Sequence, residues 1–252
     1  MSGPTIHIPT ATGVWRQVYS HRLALHAAAD DVVLAAWRQD VRGIDLSQAA
    51  AVLGETRQPT DHRREAAAAA VLALLSARSW RRTRRALATA AKRSHRAGWN
   101  AGRHLASHDR DDDTPYSDTD DGSDNTISRA DMSDHNADGT AAAALTAALA
   151  ATARRAGRTM AASTAPAADG QDTVDDGDDL NLAADVVVSA AYGAGLLAAY
   201  LASGIGAVEW ITAGDERVCD TCLANEAGNP YSLYGAPRLP AHPRCRCVLA
   251  PA

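Results

Sequence analysis

Phenylalanine is absent from this chain, lysine occurs once, at Lys92, and aromatic residues make up only 4% of it. A core so poor in aromatics must be closed by small aliphatic side chains, and the abundance of alanine assigns that closure to packed helices. Cysteine is restricted in a different way: residues 1–218 contain none, and all four lie between Cys219 and Cys247. This excludes a disulfide framework spread through a secreted fold and gathers the thiols into one local site. Met1 to Thr12 has neither a basic n-region nor an apolar h-region, so no secretory signal is expected and a reducing cytosol is the default origin. Catalytic signatures are missing as well. There is no HExxH, no GxSxG and no P-loop, and the zinc-deaminase pattern fails because no His-x-Glu precedes the Cys-x-x-Cys.

What is present divides the chain. Residues 1–20 read as an extended arm, and residues 21–108 as an N-terminal helical region. In that region Leu23, Leu25, Val33, Leu34, Trp37 and Val41 fall at helical spacing from His21 to Val41, and Asp61 caps a long helix from about His62 to His104. Residues 109–138 are acidic, almost without apolar side chains, and read as a disordered linker or loop. A second helical region, 139–204, holds helices near Thr140–Ala162 and Leu180–Ser203, separated by a loop carrying Pro166 and the acidic stretch Asp169 to Asp179. From 205 to 252 the texture changes: Ala207 to Thr212 reads as a strand, and glycine and proline recur at short intervals. Val186 to Val208 contains no charge and is long enough to span a bilayer. It is rich in Ala, Gly and Ser and lacks a basic flank, so we read it as a buried helix with no membrane partner. Gly193-x-Gly195-x-x-Ala198 within it is taken as helix packing, since no strand–helix alternation follows to make a dinucleotide site.

The ligand-bearing residues form one constellation: Cys219-x-x-Cys222, nineteen residues, then His242-x-x-Cys245-x-Cys247. Two knuckles at this separation close small zinc modules, and five donors are one more than a four-coordinate ion needs. If Cys245 to Cys247 is extended, their side chains point to opposite faces, so at most one readily joins His242, with Cys247 favoured. A segment this short gains much of its stability from a metal, and replacing Cys219 or Cys222 by Ser is expected to unfold the tail and leave the helical body intact. Asn225, Gly228 and Pro230 oppose a helix after Cys222, which argues against thioredoxin-like chemistry. Asp134-x-Asn136-x-Asp138-Gly139 opens like a calcium loop, but Leu145 stands where the bidentate Glu belongs.

Trp210, the run Asp215-Glu216-Arg217-Val218-Cys219, Cys222, Gly228, Pro240 and the closing His242-Pro243-Arg244-Cys245-Arg246-Cys247 together resemble the C-terminal signature of the phage Mu F-like minor head proteins, also called head morphogenesis proteins. The likeness covers the C-terminal module alone. It implies a non-enzymatic virion component inside the capsid near the portal, made in the host cytoplasm, with portal and capsid proteins as partners and a role in capsid assembly, DNA packaging or DNA delivery. It implies further that Trp210 is a buried anchor, that Asp215 and Arg217 stabilise a turn, and that Pro243 and Arg246 belong to the motif around a zinc-type staple. A second candidate contact lies on the long helix, where Arg78, Arg81, Arg82, Arg85, Lys92, Arg96 and Arg103 recur at three-, four- and seven-residue spacing, with Trp80 and Trp99 nearby. Such a face suits DNA phosphates or an acidic portal surface, and equally suits a solvated helix face. The expected protein is thus mainly α, an elongated helical body followed by a small α+β or β-rich Cys/His module, with zinc as cofactor. The alternative function is a zinc-containing nucleic-acid-binding protein.

Overall fold

The computed structural model describes residues 13–55, 60–107 and 137–252. It is mainly helical, with a small C-terminal sheet, as the composition requires. In chain order the elements are α1 (Gly13–Val41), α2 (Ser47–Glu55), α3 (Thr60–Ser76), α4 (Arg81–Ser107), α5 (Ala137–Ala162), α6 (Pro166–Asp176), α7 (Asp178–Ala202), β1 (Ala207–Ile211), α8 (Asp220–Ala227), β2 (Tyr231–Ser232) and β3 (Val248–Pro251).

Several of these elements differ from expectation. The arm expected over 1–20 is helical from Gly13, because Val18, Tyr19 and Arg22 continue the buried face of α1 one turn earlier; residues 1–12 lie outside the described residues. The helix expected over 62–104 is two helices. Trp80 interrupts it with a φ of 48°, uncommon for a bulky side chain, and its indole stacks on Trp37 at 4.7 Å while Nε1 donates to the Leu75 carbonyl. Asp40 of α1 then accepts from both the backbone N–H and the hydroxyl of Thr83, capping α4 from a different helix. α2 was not anticipated; it buries Leu46 just ahead of it, then Ala49 and Leu53, and Asp45 caps it through Ser47. The acidic stretch after Pro166 is a helix rather than a loop. Pro166 sits in the first turn, where its missing N–H costs nothing, Gly177 ends the helix at φ 71°, and Thr173 and Val174 are buried while Asp172 and Asp175 face water. The acidic linker and the first two ligands of the calcium-like motif, Asp134 and Asn136, lie outside the described residues, whereas Asp138 is in the first turn of α5.

The compact units do not follow the linear segmentation. One comprises, among described residues, 13–27, 90–107, 137 and 186–252, and the other 28–89 and 138–185, so α1, α4 and α7 each contribute to both. In the second unit Trp37 Nε1 donates to the Val174 carbonyl, and Arg155 binds Asp176 and Asp179. In the first, α4 and α7 meet backbone to backbone. A Cβ on Gly98 would lie 2.1 Å from the Tyr192 carbonyl oxygen, and one on Gly195 would lie 2.1 Å from that of His95. The Gly193–Ala198 stretch is therefore helix packing.

The C-terminal segment joins this first unit rather than standing apart. Its sheet has the order β2-β1-β3, with both partners antiparallel to β1 and Trp210 opposite Leu249. Val208 and Trp210, at alternate positions, are fully buried in one core with Tyr192, Leu196 and Tyr200 of α7, Ala97 and Ala101 of α4, and Val18 and Tyr19 of α1. Tyr200 donates its hydroxyl to the Leu249 carbonyl, and the side-chain amide of Asn229 pairs with both the N–H and the C=O of Trp210, extending the ladder past β2. The stretch Pro166–Ala202 is long and apolar enough to cross a membrane by length and composition, and 61% of its most apolar window is buried inside the protein.

Candidate metal centre

Each candidate ligand is aimed by a local device. Cys219 is the N-cap of α8, with extended φ and ψ of −83° and 161°, and Cys222 follows in the first turn, facing inward at 2% exposure. The Cys-x-x-Cys thus does open a helix after a strand, contrary to the expectation that Asn225, Gly228 and Pro230 prevent one. Gly228 ends α8 instead, its N–H reaching the Ala224 and Asn225 carbonyls, and a side chain there would collide with the hydroxyl of Tyr231, which donates to the Asn225 carbonyl. The sheet beside this helix is three antiparallel strands, not the larger sheet that thioredoxin-like chemistry needs.

The second knuckle is built of turns. The Cys245 N–H donates to the His242 carbonyl, and Arg244 takes a φ of 60°. Residues 245–247 make no strand ladder, and the Cys245 and Cys247 thiols both gather with that of Cys222. Cys219, Cys222 and His242 have their ligand atoms within 4.8 Å of one another, as do Cys222, Cys245 and Cys247. Cys222 belongs to both groups. His242 Nε2 lies 3.2 Å from Cys219 Sγ and 3.3 Å from Cys222 Sγ, and the Cys222 and Cys245 sulfurs are 3.9 Å apart. Donors at the corners of a zinc tetrahedron, with bonds of about 2.3 Å to sulfur and about 2.1 Å to nitrogen, stand roughly 3.5–3.8 Å from each other. The cluster is therefore a possible metal site of the right size and donor softness. His242 Nδ1 donates to the Pro243 carbonyl at 2.8 Å, which turns Nε2 toward the thiols.

The thiols differ in acidity. The backbone N–H of Cys222 at the start of α8 lowers Cys219, while burial raises Cys222 to about 12. Cys245 is lowered to about 5, first because Cys247 donates its S–H to it, and Cys247 is raised for the same reason. His242 is raised by its bond to the Pro243 carbonyl and by the neighbouring thiolates.

Asp215 joins the two knuckles. Its carboxylate is 3% exposed and receives both terminal nitrogens of Arg246, one of them at 2.5 Å, while the backbone N–H of Arg217 binds Oδ1 at 3.1 Å. The expected Asp215–Arg217 pair is thus secondary, with the Arg217 side chain 3.6 Å away and 57% exposed. Arg246 holds the Asp215 carboxyl down at about 2. Glu226 on α8 accepts from the backbone N–H and hydroxyl of Thr212, tying the end of β1 to the same helix. Trp210 is fully buried as implied. Arg22, Thr212, Glu226 and Asn229 were not foreseen; the one signal available was a charged residue, Arg22, on the apolar face of α1.

The basic positions divide. Arg78 lies between α3 and α4 and donates to the Arg42 carbonyl at 2.6 Å. Arg81, Arg82 and Arg85 are exposed on the first part of α4, with Arg82 3.4 Å from Asp40, and Lys92, Arg96 and Arg103 are exposed on the part belonging to the first unit. Trp80 and Trp99 are both buried, so neither offers a face for base stacking. A cavity of about 420 Å³ is lined by Trp99, Asn100, Arg103, His104 and Ser203, none of them a ligand candidate.

Compared with protein-family models, curated proteins and solved structures, the chain matches none.

Proposed function

We propose that this chain is a phage minor head protein of the head morphogenesis type, a structural component of the virion whose C-terminal module is stapled by zinc. The observation that carries the reading is the convergence of the signature residues: Cys219, Cys222 and His242 gather within 4.8 Å, Cys222, Cys245 and Cys247 do the same with Cys222 shared, and Asp215 clasps Arg246 across the two halves of the motif. Soft thiolates with one imidazole favour zinc, and four protein donors leave no open position for a metal-bound water. The staple is therefore structural, and the proposed role is assembly rather than catalysis. We assign Cys245 as the fourth ligand and Cys247, which lies within the same 4.8 Å group, as its S–H donor. Capsid interior, with assembly in the host cytoplasm, is the proposed location, and portal and capsid proteins are the proposed partners.

Quantitative mass spectrometry of purified virions from a phage encoding this chain tests the proposal: a few copies per particle, each with about one zinc, are expected. Particles that lack the chain yet package and infect normally would refute it. One observation favours a second reading, a zinc-containing nucleic-acid-binding protein: α4 carries no acidic residue between Arg81 and Ser107 and exposes Arg93 as well as Lys92 and Arg96. A DNA affinity that falls steeply with log salt in the purified chain would support it.

A further inference from the structure

Behind the second knuckle sits a buried cation. Arg22, on α1, is 2% exposed; its Nη2 donates to the Cys245 carbonyl at 2.7 Å and its Nη1 to the Cys247 carbonyl at 2.8 Å. The guanidinium lies 5.2 Å from the centre of the Tyr19 ring, and Val18 and Tyr19 share one apolar core with Cys222, Cys245 and Cys247. The two carbonyls flank the very side chains that enter the cluster. Rotating either peptide to swing its sulfur away from Cys222 breaks a charge-assisted hydrogen bond. Residues 242–247 have no strand ladder to hold them, so these paired donors supply the constraint that a neighbouring strand would give. Charge points the same way: three thiolates and one imidazole around a divalent cation leave one negative charge, and a buried guanidinium beside them offsets it.

We propose that Arg22 is the positioning residue of the metal centre, so that metal binding and the seating of the first part of α1 stabilise each other. The inference rests on the zinc reading above. Linkage makes the effect reciprocal: whatever α1 contributes to metal affinity, the metal returns to α1.

The test uses the full chain, with zinc affinity measured by competition against a chromophoric chelator and amide hydrogen exchange followed with and without zinc. Arg22→Met should bind zinc about 10- to 100-fold more weakly, the range for outer-shell partners of metal ligands. Arg22→Lys, which keeps the charge, should recover part of that loss. In the unaltered protein, stripping zinc should speed exchange in α1 over residues 18–27 as well as in the tail. Wild-type protein that takes up no zinc would remove both this inference and the zinc reading. Wild-type protein that binds zinc, with Arg22→Met within twofold of it, overturns the role of Arg22 alone. Should Arg22→Met fail to fold, exchange in the wild type decides: α1 amides indifferent to zinc removal overturn the linkage.

Discussion

Replacing Cys245 and Cys247 separately by serine should give opposite results, although the residues are two apart and both buried. Structural zinc sites bind with apparent free energies of about 10–16 kcal/mol over four ligands, so one thiolate accounts for roughly 3–4 kcal/mol. In the proposed site Cys245 is the fourth ligand, 3.9 Å from Cys222, with its thiol lowered to about 5 by the S–H that Cys247 donates. Cys245→Ser should therefore weaken zinc binding by about 100- to 1000-fold. Cys247→Ser replaces one donor to the Cys245 sulfur by another, an O–H, and should cost about 1 kcal/mol, within roughly tenfold of wild type. Chelator competition near pH 7.5 measures both affinities. Cobalt(II) substitution adds an independent reading, because sulfur-to-metal charge-transfer intensity follows the number of thiolates: three in wild type and in Cys247→Ser, two in Cys245→Ser. Loss of metal in Cys247→Ser with retention in Cys245→Ser would refute the assignment and restore Cys247 as the partner of His242.

The Asp215–Arg246 clasp should show a coupling of about 1–2 kcal/mol in a double-mutant cycle of Asp215→Asn and Arg246→Met followed by urea unfolding, after allowance for solvent at the partly exposed Arg246. Because the Asp215 carboxyl is depressed to about 2, its contribution is full above the ordinary carboxylate range and is lost as pH falls from about 4 towards 2. That acid slope should vanish in Asp215→Asn, measured in zinc-free protein so that metal release does not intrude; an unchanged slope would count against the clasp. Gly98→Ala should destabilise the chain by more than about 2 kcal/mol, since its Cβ meets the Tyr192 carbonyl and two helix backbones must part. Gly54→Ala, in open space on α2, should instead stabilise by about 0.5–1 kcal/mol, and equal effects at the two sites would contradict the close packing of α4 on α7.

Much of the helical fold could be read from spacing alone. α7 and α5 begin or end within three residues of expectation, because Tyr192, Leu196 and Tyr200, or Leu145, Leu149 and Thr152, recur at the helical period. The Cys/His cluster as a possible metal site was legible too, since Cys-x-x-Cys and His-x-x-Cys-x-Cys are local patterns. Several of the failures share a cause: they depended on a partner distant in sequence. The break before α4 is made by Trp37 and Asp40, neither of which marks residues 77–80. The helix after Pro166 was hidden by proline and aspartate signals that also open helices, and what separates the two meanings is burial of Val174 against Trp37. Arg22 acts on residues more than 220 positions away. Which of Cys245 and Cys247 completes a site with His242 was not legible, because both thiols gather with Cys222.

The same long-range partners change what losing the metal should do. As an isolated segment, residues 205–252 would depend on zinc for folding, and the helices would ignore its removal. In the structure Val208, Trp210 and Leu249 are fully buried in the core that Tyr192, Leu196 and Tyr200 of α7 also occupy, and Cys222, Cys245 and Cys247 line that same core. Burying a side chain of this size contributes about 1.5–3 kcal/mol, so these contacts rival the metal in free energy. The sheet should therefore persist when zinc is removed, while the Cys219 and His242 knuckles open. What the metal loses should instead spread into α1 through Arg22, which binds the knuckle directly, rather than stopping at residue 205. Serine at Cys219, half-exposed at the rim, should loosen the knuckles alone, whereas serine at Cys222, buried within the shared core, should be felt in α7 as well.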